Sequence, residues 1–451
     1  MSVLTFKKRI VLTLLVLFTV LIVSACASDD GASSNDTSDN QNEAQNNEEP
    51  ANDNSSSNEA PDDGEKIELN VFQFKAAISE QMEDMEAAYE KEHPNVELTI
   101  DTVGGGADWM ANLKTRFASG EGPDVFVVEG PAQLKLWEDY LTDLSNEEWV
   151  DHSLPFAKEK MMMDDKLYGM PMNIEGFGFI YNKDLFEEAG ITELPTTQTE
   201  LEEVVAKLND AGITPFANGF ATWWAIGLHL PNVAFAQQDD PMKFIEQLSA
   251  GEATMAGNEQ FEEFQDLLDF MLENGTPNPL STDLNTQLTL FASGEAAMVH
   301  QGNWTEPTIY GINPDINLGL LPVPLNDNAE EMDKIQVGVP FSWVINNETE
   351  HMDEAKEFLN WMAMSETGHK YITEDFMMIP AFDHIDASGL GDVSQVINKY
   401  SKEDKTLDWI FPSWPDGFGD QTSNLLQGYI GDQHDFDTVL EEMDKAWQES
   451  K

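Results

Sequence analysis

The chain offers 11 tryptophans, eight histidines, one cysteine and 84 acidic side chains, and their spacing decides which chemistries are open to it. A serine nucleophile of the hydrolase type needs a Gly-x-Ser-x-Gly elbow, and Ser119-Gly120 lacks the leading glycine. The histidines follow no His-Glu-x-x-His or related spacing, so no metal site is expected and none is given a catalytic role. A lone cysteine, Cys26, excludes an intrachain disulfide, a Cys-x-x-Cys zinc site and an iron–sulfur cluster. No Gly-Lys dipeptide occurs, so a Walker A phosphate loop is absent. Paired carboxylates for glycoside hydrolysis carry no information in a chain with so many acids. No cofactor is expected.

Recognition without bond-making remains. Flat rings cover apolar faces of a ligand, and fixed amides, carboxylates or cations hold its polar rim. Trp223-Trp224 is a tandem pair, and chain neighbours cannot both face one core. Phe341 and Trp343 alternate on an expected strand, where a place in the core competes with a place in a site. Trp109, Trp137, Trp149, Trp361 and Trp447 fall in helical patterns that read as packing. Among polar groups, Lys75 and Gln73 follow the first expected strand, and Glu129 follows the third. Gln301 and Asn303 offer amides, while Asp124 reads as the holder of a strand–loop turn.

The elements that must position these residues follow from periodicity. Alternation at 67–71 and 96–100 and a short continuous run at 123–128 predict strands. Helices are expected at 79–91 and where Met110, Leu113 and Phe117 recur at helical spacing before a stop at Gly120. A β-α-β-α-β order with buried strands implies a parallel α/β sheet, whose ligands sit beyond the carboxyl ends of the strands. Gln73, Lys75 and Glu129 occupy those ends. Further helices are expected at 200–209, 260–273 and 354–364, and strands at 177–181, 297–300 and 337–345. The folded part is too long for one comfortable core, so two α/β lobes are expected.

Charge and the amino terminus narrow the setting. With 23 basic residues against the 84 acids the formal charge is −61, a field that repels nucleic acid and anionic lipid surfaces. Lys7, Lys8 and Arg9 precede an apolar run at 10–23, too short to span a membrane comfortably. The run ends in Val23-Ser24-Ala25-Cys26, which resembles a bacterial lipobox, so 1–26 reads as a lipoprotein signal peptide with Cys26 as the lipidated residue. Residues 27–65 hold 12 acids, no base and no large apolar side chain, the composition of a disordered acidic tether. Most of the remaining acids must form a solvated surface, suited to high salt or alkaline surroundings.

Four segments are familiar: Gly122 to Phe126 (GPDVF), Pro171 to Phe186 (PMNIEGFGFIYNKDLF), Phe291 to Trp304 (FASGEAAMVHQGNW) and Asp353 to Met364 (DEAKEFLNWMAM). Together they resemble the extracellular solute-binding proteins of bacterial ABC sugar importers, the group that includes maltose-binding protein. The resemblance runs from about Ile67 to Trp447. It implies two α/β lobes of the periplasmic-binding-protein type, joined by hinge segments with a ligand cleft between them. Transferred by motif, lobe one is 66–173 plus 336–372 and lobe two is 174–335 plus 373–451. The crossings fall near 173–178, 333–337 and 371–381. The resemblance further implies that Trp304 and Trp414 stack on sugar rings and that Glu175, beside the hinge, bonds sugar hydroxyls. It departs from the maltose-binding pattern after Pro123-Asp124-Val125-Phe126, where Val127 and Val128 stand instead of a tryptophan, so the sugar is expected to differ. The implied function is capture of a carbohydrate, an oligosaccharide, by a lipid-anchored monomer on the outer face of the cell membrane. Closure about the hinge would deliver it, unchanged, to separate ABC permease subunits. The alternative is a tethered extracellular glycoside hydrolase. An adhesion lipoprotein would also fit the tether, though not the cleft motifs.

Overall fold

Apolar residues at every second place in Ile67–Gln73 and Val96–Thr102 make both strands pair in parallel, Leu69 beside Leu98 and Gln73 beside Thr102. The crossover helix Ser79–Glu92 turns Met82, Met85 and Tyr89 inward at helical spacing. Helix Trp109–Ser119 is capped by the Asp108 carboxylate on the Ala111 N–H and stops at Gly120, whose φ of 80° suits a residue without Cβ. Val125–Val128, wholly buried, pairs with the first strand on its other side. The computed structural model describes residues 66–104 and 108–451. The expected signal peptide with Cys26, the acidic tether and part of the Gly104–Gly106 loop lie outside the described residues.

Two further strands, Ser342–Ile345 and Met170–Pro171, complete a five-stranded sheet whose core includes Phe72, Phe126 and Trp343. A second sheet is built around Asn173–Asn182, buried along all ten residues. Met298–Gly302, Leu318–Leu321, Ile335–Gly338 and Ile379–Pro380 pair with it, and Thr406–Asp408 pairs with Ile335–Gly338. Helices including Gln198–Asp210, Glu259–Glu273 and Phe436–Ser450 cover this sheet over a separate core. Both sheets fall within one compact unit.

The chain passes between the sheets at three places. Met172 separates Met170–Pro171 from Asn173–Asn182, Val339 to Phe341 separate Ile335–Gly338 from Ser342–Ile345, and Ile379–Pro380 pairs with the second sheet after Phe376 and Met378 have packed in the first core. The single strand expected at 337–345 is therefore two strands. Pro340 has no N–H to give a ladder, so pairing stops there and the chain changes sheet. The first core also draws residues beyond 372: Phe376, Phe382 and Ile385 bury against it.

Candidate functional site

The carboxyl ends of the first sheet's parallel strands face the second sheet across a narrow slot. Lys75, just past the first strand, forms an ion pair with Glu175 on the hinge strand. Lys160 Nζ meets Asp408 at 2.7 Å and Lys114 Nζ meets Asp416 at 3.0 Å. Gly130 abuts Pro412 so closely that a Cβ there would come to 2.6 Å of the proline ring. The slot, ≈ 370 Å³, is lined by Glu129, Phe156, Lys160, Val339, Trp409 and Ser413. A larger depression, ≈ 820 Å³, lies beside Asn70, Asp124 and Thr349, at the amino ends of the strands. Ligands of parallel α/β sheets bind at the opposite ends, which makes the slot the candidate.

The second lobe presents an aromatic cluster to this slot. Trp304 follows Met298–Gly302 in a single 3-10 turn, and its ring lies 5.0 Å from His229, 6.0 Å from Trp224 and 6.2 Å from Trp409. Phe177, from the hinge strand, stacks on His229 at 4.7 Å, and Phe411 sits 5.1 Å from Trp409. Burial and neighbouring His300 hold the His229 imidazole well below its usual range, and burial takes His300 down to about 3. Both are neutral rings at ordinary pH. The indole N–H groups of Trp304 and Trp409 are buried without a hydrogen-bond partner among the described residues, donors that a hydroxyl-bearing ligand can satisfy.

The first lobe answers with fewer rings. Phe74 stacks on Trp109 at 4.9 Å and meets Phe341 edge-on at 5.5 Å, and the Lys75 ammonium stands 5.5 Å from the Phe341 ring. Glu129 keeps some surface at the slot, yet protein encloses it closely enough that desolvation pushes its carboxyl up to about 7, against the opposing hydrogen bond from Gln133 at 2.7 Å.

The structure sorts the residues singled out from the sequence into groups. Glu129 lines the slot, Trp304 and Trp224 join it through ring contacts with slot-lining Trp409, and Lys75 pairs with Glu175. Trp223, 43% exposed, points to solvent while Trp224 turns inward. Trp414 is 4% exposed and packs in the second lobe's core, 4.5 Å from Phe235. Trp343 is enclosed in the first core with its N–H toward Met172 Sδ. Phe341 is buried too, although its ring edge underlies Phe74 and Lys75. Gln73 spends its amide on Thr102 and on the Lys75 backbone, and Asn303 Oδ1 accepts from Gly176 N at 3.0 Å. Those two amides shape the loops of the site. Asp124 accepts from Asn70 N and the Thr349 hydroxyl, a turn-holding role.

Trp409, Phe411 and His229 were not singled out. Trp409 stands five residues before Trp414 at the other end of the same proline-containing segment. Its signal is the strand Thr406–Asp408, which ends at the slot and leaves the next residue on its rim. Trp109 reads as helical packing from spacing, but as the first residue of its helix it lies against Phe74 at the strand ends.

The rings and fixed polar groups of this arrangement suit binding. Residues 73–368 match the model of the bacterial extracellular solute-binding protein family. A multiple sugar-binding protein of Streptococcus mutans is 23% identical over 375 residues, covering 80% of this chain and 86% of that protein. A melibiose/raffinose/stachyose-binding protein of Bacillus subtilis is 23% identical over 292 residues, 61% of this chain and 65% of that one. Among solved structures, the solute-binding protein RafE in complex with raffinose superposes with a TM-score of 0.74 at 22% identity, over 86% of this chain and 100% of RafE. A chitin oligosaccharide binding protein does so with 0.75 at 20%, over 86% and 99%. These proteins are binders, not enzymes, which removes support from the glycoside hydrolase alternative. The family match spans both sheets and two of the three crossings between them, and this chain belongs to the bacterial extracellular solute-binding proteins.

Proposed function

We propose that the chain captures an oligosaccharide in the slot between its lobes and hands it, chemically unchanged, to the membrane subunits of an ABC importer. The observation that carries this reading is the cluster of Trp304, Trp224 and Trp409, which reaches the slot through Trp409 and holds two unpartnered indole N–H donors. Indole faces take the C–H side of a sugar, and the donors and charged groups take its hydroxyls. Relatives whose names specify multiple sugars, or melibiose, raffinose and stachyose, support the same ligand class. Trp304, Trp224 and Trp409 are the stacking rings of this reading, Glu175, Lys75 and Glu129 bond the rim, and Trp223 extends the outer edge. Phe341, Trp343, Trp414, Gln73 and Asn303 act behind them as supports.

Binding would proceed by hinge closure. A ligand that touches both lobes favours the closed arrangement by its differential affinity for it, and the importer reads the paired lobe surfaces. Cys26 would carry the lipid that keeps the monomer at the outer face of the membrane, with 27–65 as its tether. A thermal-shift screen of mono- to tetrasaccharides tests the function. At a hundredfold excess over Kd a true ligand adds about 2.7 kcal/mol of stability, and chromatography should return it intact. A flat screen, or a cleaved sugar, would overturn the reading. Cys26→Ser should release the chain into the medium, and retention at the membrane would remove the anchor.

A further inference from the structure

On the first lobe, away from the slot, two of the eight histidines stand beside one carboxylate, with a third packed behind them. His152 and His384 lie with ring centroids 4.3 Å apart, and His369 stands 5.0 Å from His384. Asp383 Oδ1 is 3.4 Å from His152 Nδ1 and 4.0 Å from His384 Nδ1. The ligand atoms of His152, Asp383 and His384 all fall within 4.8 Å of one another.

The backbone builds this juxtaposition. Ser153 and Phe382 form an antiparallel bridge, Asp383 N donates to His152 O at 2.9 Å, and Leu154 N donates to Ala381 O at 2.8 Å. Residues distant in sequence are thus held opposite each other by main-chain bonds that do not depend on the side chains. The His384 ring is fixed as well. Its Nε2 lies 3.0 Å from the Ala363 carbonyl, which can only accept, so in the neutral ring Nε2 carries the hydrogen and Nδ1 the lone pair. That lone pair faces a carboxylate oxygen. Two acceptors so placed call for a cation between them. A histidine whose second nitrogen is tied to a carbonyl, as here, has the usual surroundings of a metal ligand.

The geometry points to a divalent transition-metal site formed by His152 Nδ1, Asp383 and His384 Nδ1, with solvent as the fourth ligand. Two imidazoles and one carboxylate suit zinc, cobalt, nickel or copper better than magnesium or calcium, which prefer oxygen alone. Metal–ligand bonds of ~2.0–2.1 Å place neighbouring ligand atoms of a tetrahedron about 3.3 Å apart. The His152–Asp383 spacing already matches, and His384 needs a small inward rotation. Such an ion would cross-link Asp383-His384, which follow the Ile379–Pro380 strand of the third crossing, to His152 of the first lobe, and so would stiffen one end of the hinge.

Titration of the intact mature chain with Co2+, followed by visible absorption, tests the site. The expected result is one tight equivalent with the bands of a nitrogen-containing, low-coordinate site, displaced by Zn2+ but not by a hundredfold excess of Mg2+ or Ca2+. His152→Ala, on a half-exposed side chain, and Asp383→Asn should each weaken Co2+ by tenfold or more while far-UV circular dichroism stays unchanged. Uptake that Mg2+ displaces, uptake unchanged in both variants, or no uptake at all would overturn the assignment and leave an ordinary histidine–aspartate surface pair.

Discussion

Glu129 is the polar residue of the slot whose charge state is set most strongly by enclosure. Its carboxyl titrates at about 7 in the folded chain and near 4.5 when free. Below about 4.5 it is protonated in both states. As pH rises through the window to 7 the unfolded chain ionises first, so this group progressively lowers stability, and above 7 the cost is constant. Glu129→Gln, which fixes a neutral side chain, should gain on the wild type by about 1–3 °C in melting temperature between pH 4.5 and pH 8. Melting curves across that range check it, and a constant difference would place the carboxyl in ordinary solvent. The residue was legible from its position past a parallel strand, but its raised titration was not, because that comes from burial in the folded chain, against the hydrogen bond from Gln133. Trp304 was likewise legible through a motif. Trp414 and Trp409 show the opposite case: two indoles flank Pro412, both of them buried, and only the packing of one against Phe235 and the slot beside the other tell them apart.

At the scale of elements, strand periodicity located the first sheet well, since Ile67–Gln73, Val96–Thr102 and Val125–Val128 carry patterns that burial alone enforces. The crossings were less legible, because a strand that continues into a second sheet looks the same in sequence as one that stops. Pro340 was the available signal, and it marks the break between Gly338 and Ser342. The histidine–aspartate cluster was not legible at all, since a bridge between Ser153 and Phe382 assembles it. Across the slot, Gly130, at the start of helix Pro131–Leu136, packs against the Pro412 turn. Gly130→Ala puts a methyl where only hydrogen fits. It should prop the lobes apart, raising the radius of gyration in small-angle scattering with ligand present and weakening ligand binding about tenfold. Unchanged scattering and affinity would mean that the lobes do not close on this contact.

For the whole molecule, the excess of 84 acids over 23 bases is the dominant long-range term. Self-repulsion of this size opposes compactness, and counterions relieve it. The ion pairs that span the slot, Lys114–Asp416 and Lys160–Asp408, are partly exposed and contribute little by comparison. Melting temperature should therefore rise steadily from dilute to molar NaCl. A falling curve would show that the pairs outweigh the repulsion and that the acidic surface is neutralised in some other way.

The central claim is that the indoles at the slot hold a sugar, and calorimetric titration of the oligosaccharide found by screening tests it most directly. A stacked ring contributes ~0.5–1.5 kcal/mol beyond the area it covers, so Trp304→Ala should bind at least several-fold, and up to tenfold or more, less tightly than wild type. Trp414→Ala, cut from the core, should melt at lower temperature while its folded fraction keeps the wild-type Kd. Equal affinity in Trp304→Ala, or loss of binding confined to Trp414→Ala, would contradict the account.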